Sequence, residues 1–224
     1  MAVRSPFTTA QATAAEETRH SLAGNGHIVV QADVADAQAI QAMVESVIAQ
    51  FGRIDVLVNN AGIFEEHALD HVDYQSWCAS WTKIITTNLL GAANTSYCVA
   101  QHMVKQGGGK IINISSRTAF RGKPEAPAYV ASKAGLNSMS QSLAYALAPY
   151  GIHVYAVAPS VVDTDMAAND KNSPEWQSIQ RQSPLERVCT PQEVAYTVAF
   201  LASALTAYHT GGIIDMFGAS YFRT

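Results

Sequence analysis

Apolar and polar positions alternate along the chain in two rhythms, one typical of helices and one typical of strands. Residues 36–51 follow the helical rhythm, with apolar side chains recurring every three or four positions. One side of this helix carries Ile40, Met43, Val44, Val47 and Ile48. Residues 54–62 instead form a continuous apolar run that ends in a polar, glycine-containing loop, as buried strands of parallel sheets do.

The two rhythms alternate through most of the chain. The predicted helices are 8–24, 36–51, 74–106, 128–148 and 191–204. The predicted strands are 27–34, 54–62, 110–115, 152–158 and 212–217. Alternating strands and helices predict crossover connections and a parallel sheet. We therefore expect one α/β domain over residues 1–224, with a Rossmann-like, doubly wound parallel sheet.

A serine, a tyrosine and a lysine surround one of these strand-to-helix connections. Ser116 follows the predicted strand, and Tyr129 and Lys133 lie four residues apart, on one face of the next helix. A free phenol has a pKa of about 10, and a nearby ammonium lowers that pKa. Tyr129 is then expected to exchange a proton with an oxygen held by Ser116, which favours carbonyl–alcohol interconversion. Ser115 is the alternative hydroxyl, and the tyrosine–lysine spacing alone is common on helices.

Composition and charge narrow the class of function. The chain has 224 residues, of which 48% are hydrophobic, enough for a large single core. A net charge of −4 without a Lys/Arg run argues against nucleic acid as a partner. Cys78, Cys98 and Cys189 are isolated and odd in number, which favours a reducing compartment. No apolar run reaches membrane-spanning length, so we expect no membrane partner.

Two weaker features of the sequence concern targeting and metal binding. Residues 1–15 are poor in acids and faintly resemble a transit peptide, but acidic residues follow at once in the same helical pattern, so we expect a cytoplasmic protein. His67 and His71 lie four apart beside two glutamates, a spacing that can bind a metal. No third ligand is evident, and we expect no metal.

Several short motifs occur in a fixed order from about residue 29 to the C terminus. They are Asp33 with Val34, the run Asn59, Asn60, Ala61 and Gly62, Asn88 in NLLG, Ser116 with Tyr129 and Lys133, Pro159 with Val162 and Thr164, and PLERVCTPQEVAYTVAFLAS at 184–203. In this order and spacing the chain resembles the short-chain dehydrogenase/reductase family, closest to its 3-oxoacyl-thioester reductase-like branch. The resemblance implies an NAD(P)-dependent oxidoreductase that interconverts a ketone and a secondary alcohol.

The resemblance also assigns roles to these residues. It implies a catalytic set in which Tyr129 is the acid or base, Ser116 holds the substrate oxygen, Lys133 activates the tyrosine and Asn88 anchors a water of the proton relay. It implies a cofactor-binding set of Asp33, Val34, Asn59, Asn60, Ala61, Gly62, Tyr129, Lys133, Pro159, Val162 and Thr164.

The chain departs from the family pattern at its start. The family opens with a strand and a T-G-x-x-x-G-x-G loop, through which the backbone approaches the pyrophosphate at a helix N-terminus. No such loop occurs in this sequence. What remains fits a chain that begins inside the family's second strand, so we expect an N-terminally truncated fold without the first strand and first helix. Arg4 would follow that second strand and meet a 2′-phosphate, which favours NADP, with NAD as the alternative.

A missing first strand has a physical consequence. In the resembling family that strand lies at the centre of the sheet, and unpaired buried backbone groups cost about 1–3 kcal/mol each. We therefore expect the predicted strand 27–34 to pair with 54–62, or a strand to be borrowed from a partner chain.

Two functions and one mode of assembly follow. The first function is the oxidoreductase, and the alternative is a cofactor-binding-impaired family member that acts as an assembly or binding subunit. Helices 74–106 and 128–148 carry apolar residues on more than one face. We expect them to form a two-fold four-helix contact, giving a homodimer, or a homotetramer if the C-terminal GASYFRT forms a second interface.

Overall fold

The structure is a computed structural model that describes residues 12–164, 166–167 and 173–223. The strands of its sheet are β1 (Val56–Asn59), β2 (Gly109–Ile114), β3 (Ile152–Pro159) and β4 (Ile213–Met216). The helices are α1 (Ala12–Ser21), α2 (Ala37–Phe51), α3 (Tyr74–Ile85), α4 (Gly91–Gln106), α5 (Pro127–Leu147), α6 (Pro174–Gln180) and α7 (Pro191–Ala202). Within these ranges, no helix is long and apolar enough to cross a membrane.

The four strands form one parallel sheet in the order β1-β2-β3-β4. β3 lies inside the sheet and is buried at nearly every position, as its apolar sequence predicts. The register pairs Asn59 with Asn113 at the carboxyl ends of β1 and β2. Because parallel strands end at the same edge, the residues that follow them converge there. The predicted α/β, Rossmann-like class is confirmed.

Helices cover both faces of the sheet. One apolar cluster joins α2, α4 and α5 to the sheet, and its buried members include Met43, Val44, Val99, Met103, Ile111, Ala144 and Val154. The other cluster packs Leu201 of α7 against Ile112, Tyr155 and Val157. The helical period of α2 places its apolar stripe against this core, as predicted. Asp36 caps the start of α2, and Gly52 ends it with φ 74°.

The prediction of a strand at 27–34 is wrong. In the described chain this segment has no ladder partner, and β1 pairs with β2 alone. Val58 of β1 is consequently 37% exposed. The end of the segment packs instead on the start of α4, where a Cβ atom placed on Gly91 would lie 2.8 Å from the carbonyl oxygen of Val34. An apolar alternating pattern forms a strand only where a neighbouring edge accepts it, and the expected pairing with 54–62 does not form.

The predicted helix 74–106 is not one α-helix. A π-helical turn, Thr86–Leu90, separates α3 from α4, and the amide of Gly91 donates to the carbonyl of Thr86 five residues earlier. Single π turns inside helices occur frequently at functional sites. This one contains Asn88, which is buried. Helix α6 was not predicted at all.

Part of the apolar surface of the two helices expected in the dimer contact lies inside the protomer. Ala92 and Val99 of α4 and Leu136 of α5 are buried there. The large apolar side chains that α4 and the π turn leave exposed are Leu90, Tyr97 and Val104, seven residues apart along the chain. Any contact through α4 therefore uses this stripe.

Candidate active site

The candidate site begins where β2 ends. The amide of Ser115 continues the ladder to Val157 at 2.7 Å, and the Ser115 hydroxyl is buried and donates to the carbonyl of Lys133 at 3.3 Å. Ser116 leaves the sheet with an extended backbone and caps a short 3₁₀ turn. Its Oγ accepts hydrogen bonds from the amide of Thr118 at 3.2 Å and from the Thr118 hydroxyl at 2.9 Å. The hydrogen of the Ser115 hydroxyl is thus used inside the protein, whereas that of Ser116 is directed at the site, where Ser116 hydrogen-bonds with Tyr129.

Helix α5 brings Tyr129 and Lys133 to this strand end, on one face as the spacing predicts. Lys133 is 5% exposed, and its Nζ donates to the carbonyl of Ile114 at 2.8 Å. The same Nζ lies 5.7 Å from the centre of the Tyr129 ring. Phe64 meets that ring edge-on, with 5.2 Å between the ring centres. The phenol, the ammonium and the Ser116 hydroxyl thus belong to one compact site.

Burial controls the acidities of the two groups. It raises the pKa of Tyr129 above its ordinary value, and hydrogen bonding with Ser116 lowers that pKa by less. The expectation that Lys133 would lower the pKa of Tyr129 below its usual range is therefore wrong for this structure. Burial also lowers the pKa of Lys133 from 10.5 to about 8.

Asn88 ties the loop after β1 to the helical layer. Its Oδ1 accepts from the amide of Ile63 at 2.8 Å, and its Nδ2 donates to the carbonyl of Ile63 at 2.9 Å. Nδ2 also lies 3.3 Å from the Ser132 hydroxyl on α5. Gly62 sits against this pair, since a Cβ atom there would lie 3.4 Å from Asn88 Oδ1 and 3.5 Å from Lys133 Nζ. These are ordinary contact distances, so the loop packs directly beside both side chains.

Several residues of the expected cofactor-binding set also come together beside the start of α4. Val34 lies with Asn59 and Ala61 around a small cavity beside Gly91. Asn59 holds the sheet, donating through Nδ2 to Asn113 Oδ1 at 2.8 Å and to the Ser96 hydroxyl at 3.0 Å. Asn60, Ala61 and Asp33 are exposed at the same edge. The carboxylate of Asp33 accepts from the amide of Ala35 at 2.8 Å, which forms a tight turn.

The segment after β3 is more loosely tied to the site. Pro159 ends β3 and is buried, Val162 forms an isolated bridge with Cys189, and Thr164 is exposed. A cavity of about 150 Å³ lies behind this segment. Its walls include Ser160, Gln182, Ser183, Cys189, Phe217 and Ser220. Ser116, Tyr129 and Lys133 do not line it. Arg4, expected to contact the cofactor, lies outside the described residues.

The sequence did not reveal two contributors to the site. Phe64 touches Tyr129 and carries no motif of its own. His67, weighed above as a metal ligand, is 1% exposed, and both its ring nitrogens lie within hydrogen-bonding distance of backbone groups. No cluster of three or more His, Cys, Asp or Glu suited to a metal occurs in the part of the chain that the structure describes. The partners of His67 are distant in sequence, so only the fold identifies them.

Comparison with known proteins places this geometry in a family. The family model described as "Enoyl-(Acyl carrier protein) reductase" matches residues 5–217. The chain is similar to the 3-oxoacyl-[acyl-carrier-protein] reductase of Staphylococcus aureus, with 41% identity over 199 residues covering 88% of this chain and 78% of that protein. The Thermotoga maritima enzyme of that name is 39% identical over 186 residues, covering 83% and 74%. The Synechocystis enzyme is 38% identical over 209 residues, covering 92% and 81%. The chain therefore belongs to the short-chain dehydrogenase/reductase family of NAD(P)-dependent oxidoreductases, in its 3-oxoacyl reductase-like branch.

Proposed function

We propose that this chain interconverts the ketone of a 3-oxoacyl thioester and the corresponding secondary alcohol, with NADPH as the cofactor and Tyr129 as the proton donor or acceptor. One observation carries the proposal. A hydroxyl, a phenol and an ammonium meet at the carboxyl end of β2, in a chain whose curated relatives are named as reductases of 3-oxoacyl groups on acyl-carrier protein.

The cofactor supplies a hydride to the carbonyl carbon when it is bound. The protein handles the oxygen. Because Ser116 Oγ already accepts two hydrogen bonds from Thr118, its own hydrogen is the one left to donate, to Tyr129 in this structure and to the substrate oxygen when a substrate is bound. Tyr129 gives its phenolic proton to that oxygen as the carbon–hydrogen bond forms, leaving the alcohol and a phenolate. In alcohol oxidation the Tyr129 phenolate instead accepts the proton of the substrate hydroxyl.

The shifted acidities suit the reduction direction. A raised pKa keeps Tyr129 protonated at neutral pH, so the acid form is the resting form. Lys133, whose pKa is about 8, still carries its charge at neutral pH in most molecules. Its ammonium, held by the carbonyl of Ile114, stabilises the phenolate that proton transfer leaves behind.

The residues around the cleft fit the two ends of a dinucleotide. Val34, Asn59 and Ala61 border the open edge beside Gly91, a setting for the adenine end. Gly62 lies beside Lys133 and Asn88, and these residues, with Tyr129, would hold the ribose and nicotinamide end. No T-G-x-x-x-G-x-G loop is present in the sequence to cradle the phosphates.

The open edge of β1 supports a second candidate function. With the outer edge of β1 unpaired in the described chain, the protein would serve as an assembly or binding subunit of the family that pairs this edge with another chain. Titration of the purified chain with NADPH and NADH, followed by nucleotide fluorescence, separates the two functions. The enzyme reading requires saturable binding and NADPH consumption with a 3-oxoacyl thioester. Absence of both results would establish the assembly reading instead.

The choice of cofactor rests on Arg4. We assign this arginine to the 2′-phosphate of NADP, since a guanidinium matches phosphate geometry. The expected result is tighter binding of NADPH than of NADH, with the difference reduced in Arg4→Ala. Equal affinity for both nucleotides in the wild type would remove this assignment.

Assembly and location complete the proposal. The exposed stripe of Leu90, Tyr97 and Val104 supports a two-fold contact through α4 and α5. Exposed Tyr196 and Phe222 support a second contact, and with it a homotetramer. Tyr221 belongs to the protomer instead, because its hydroxyl donates to the carbonyl of Phe120 at 2.9 Å. Three free cysteines support a reducing, cytoplasmic location.

A further inference from the structure

A buried histidine bridges the loop after β1 and the start of helix α5. His67 is 1% exposed, and its ring Nδ1 lies 2.9 Å from the carbonyl oxygen of Glu65. Its Nε2 lies 3.1 Å from the backbone amide of Ala128, 61 residues further along the chain. The His67 amide also donates to the carbonyl of Glu125 at 2.7 Å. Three hydrogen bonds thus attach this one residue to both segments.

The partners determine which ring nitrogen carries the hydrogen. A carbonyl oxygen only accepts, so Nδ1 donates to Glu65. A backbone amide only donates, so Nε2 is the acceptor for Ala128. The imidazole is therefore neutral and held in one tautomer. The carboxylate of Glu65 does not compete for the ring, because it accepts from Ser80 at 2.6 Å and from Lys83 at 2.7 Å.

This arrangement replaces a missing helix cap. The first amides of an α-helix have no partner within the helix and are normally satisfied by a side chain at the preceding position. Here that position is Ala126, which offers no side-chain acceptor, and Pro127 begins the helix without an amide hydrogen. His67 supplies the acceptor from another part of the chain. The amide it satisfies belongs to Ala128, the residue directly before Tyr129.

We propose that His67 is a positioning residue for Tyr129: by accepting from the Ala128 amide it fixes the first turn of α5, and with it the phenol, relative to the loop after β1. The inference rests on the proposed role of Tyr129 as proton donor or acceptor. The Trp77 ring contacts the imidazole edge-on, with 5.6 Å between ring centres, and makes no hydrogen bond to it. A displacement of about 1 Å in a reacting group is enough to cost on the order of 10²-fold in rate.

Three variants test the role. His67→Leu removes both ring nitrogens while keeping an apolar side chain of similar reach. His67→Gln keeps an acceptor near the position of Nε2. Trp77→Leu loosens the packing of the ring and leaves both hydrogen bonds. We expect kcat for carbonyl reduction to fall about 10- to 10²-fold in His67→Leu, with KM and the NADPH dissociation constant nearly unchanged. His67→Gln should recover most of the loss, and Trp77→Leu should resemble the wild type.

A readout without turnover accompanies the kinetics. The Ala128 amide should be protected from hydrogen exchange in the wild type and in His67→Gln, and should exchange faster in His67→Leu. If the leucine variant does not fold, His67→Asn takes its place, because the shorter amide reaches Glu65 and leaves Ala128 without its acceptor. An unprotected Ala128 amide in the wild type, or equal kcat in the leucine, glutamine and wild-type proteins, would overturn the inference.

Failure of the proposed function gives a different result. A wild type without turnover, or a Tyr129→Phe variant with full activity, would remove the proposed chemistry and with it the catalytic meaning of His67. The exchange measurement would still report whether His67 caps α5. The two claims therefore fail separately.

Discussion

Asn88 and Ile63 exchange two hydrogen bonds, one in each direction, at 2.8 and 2.9 Å. The pair joins the π turn between α3 and α4 to the loop that follows β1. Satisfying both backbone groups of Ile63 with one buried amide fixes that loop where it passes Lys133. The π turn that interrupts the helix is what carries Asn88 into this position.

Replacing Asn88 should therefore weaken both the fold and the site. In Asn88→Leu the amide and carbonyl of Ile63 lose their partner inside the protein, at a cost of about 1–3 kcal/mol for each buried group. We expect a lower free energy of unfolding in urea and weaker NADPH binding. The control is Thr197→Val, which removes one 3.1 Å hydrogen bond within α7. Unchanged nucleotide affinity in Asn88→Leu would show that the loop keeps its position without this pair.

Lys133 is expected to lower the stability of the protein at neutral pH. Its pKa falls from 10.5 in the unfolded chain to about 8 in the folded one, so between these values the unfolded state binds more protons. Stability due to this group therefore rises from about pH 8 to pH 10.5 and is lowest below pH 8. The difference corresponds to about 3 kcal/mol, from 1.36 kcal/mol for each pKa unit.

The variant Lys133→Met isolates this effect. We compare the free energy of unfolding of the variant minus that of the wild type. This difference should be larger at pH 7 than at pH 10.5 by about 3 kcal/mol, which means that the variant is relatively more stable at pH 7. The variant also loses the hydrogen bond from Lys133 to the carbonyl of Ile114. This loss lowers its stability at pH 7 and at pH 10.5 alike, so it does not change the difference between the two pH values. Urea denaturation of both proteins at the two pH values gives the comparison. A relative stability independent of pH would mean that burial does not shift Lys133.

The stripe on α4 predicts the state of assembly. Tyr97 lies at the centre of the stripe and is 68% exposed. Tyr97→Glu should therefore place a charge inside the proposed two-fold contact and halve the mass measured by light scattering at micromolar concentration. Tyr196→Glu, on α7, is the matched substitution at the second contact and should affect only a tetramer. A monomeric wild type would contradict the assembly. A dimer unaffected by Tyr97→Glu would place the contact elsewhere.

Sequence patterns correctly predicted the features that depend only on interactions between residues close together in the chain. The apolar stripe of α2 and the four-residue spacing of Tyr129 and Lys133 depend on helix geometry alone, and both are found as predicted. The strand at 27–34 depends on pairing with another strand, and in the described chain it does not pair even with the open edge of β1. The pattern of the segment alone did not reveal this. Whether an apolar segment becomes a strand is decided by pairing, which the sequence of the segment does not contain.

The same distinction applies within the site. The contacts of His67 involve a backbone amide 61 residues away and an alanine at the cap of α5. The sequence offered only its four-residue spacing from His71, from which we expected no metal and no other role. The π turn at Asn88 is likewise invisible in the helical period of 74–106. The pKa of Tyr129 was predicted in the wrong direction because burial, which acts on the tyrosine and on Lys133 alike, was not readable from their spacing.

The central claim is that the Tyr129 phenol transfers the proton, and Tyr129→Phe tests it most directly. The substitution keeps the ring that packs against Phe64 and removes only the hydroxyl. Turnover of a 3-oxoacyl thioester with NADPH, measured for both proteins at equal concentration, should fall by about 10²–10⁴ in the variant. The free energy of unfolding and NADPH affinity should stay close to the wild-type values. Wild-type turnover in Tyr129→Phe would contradict the account.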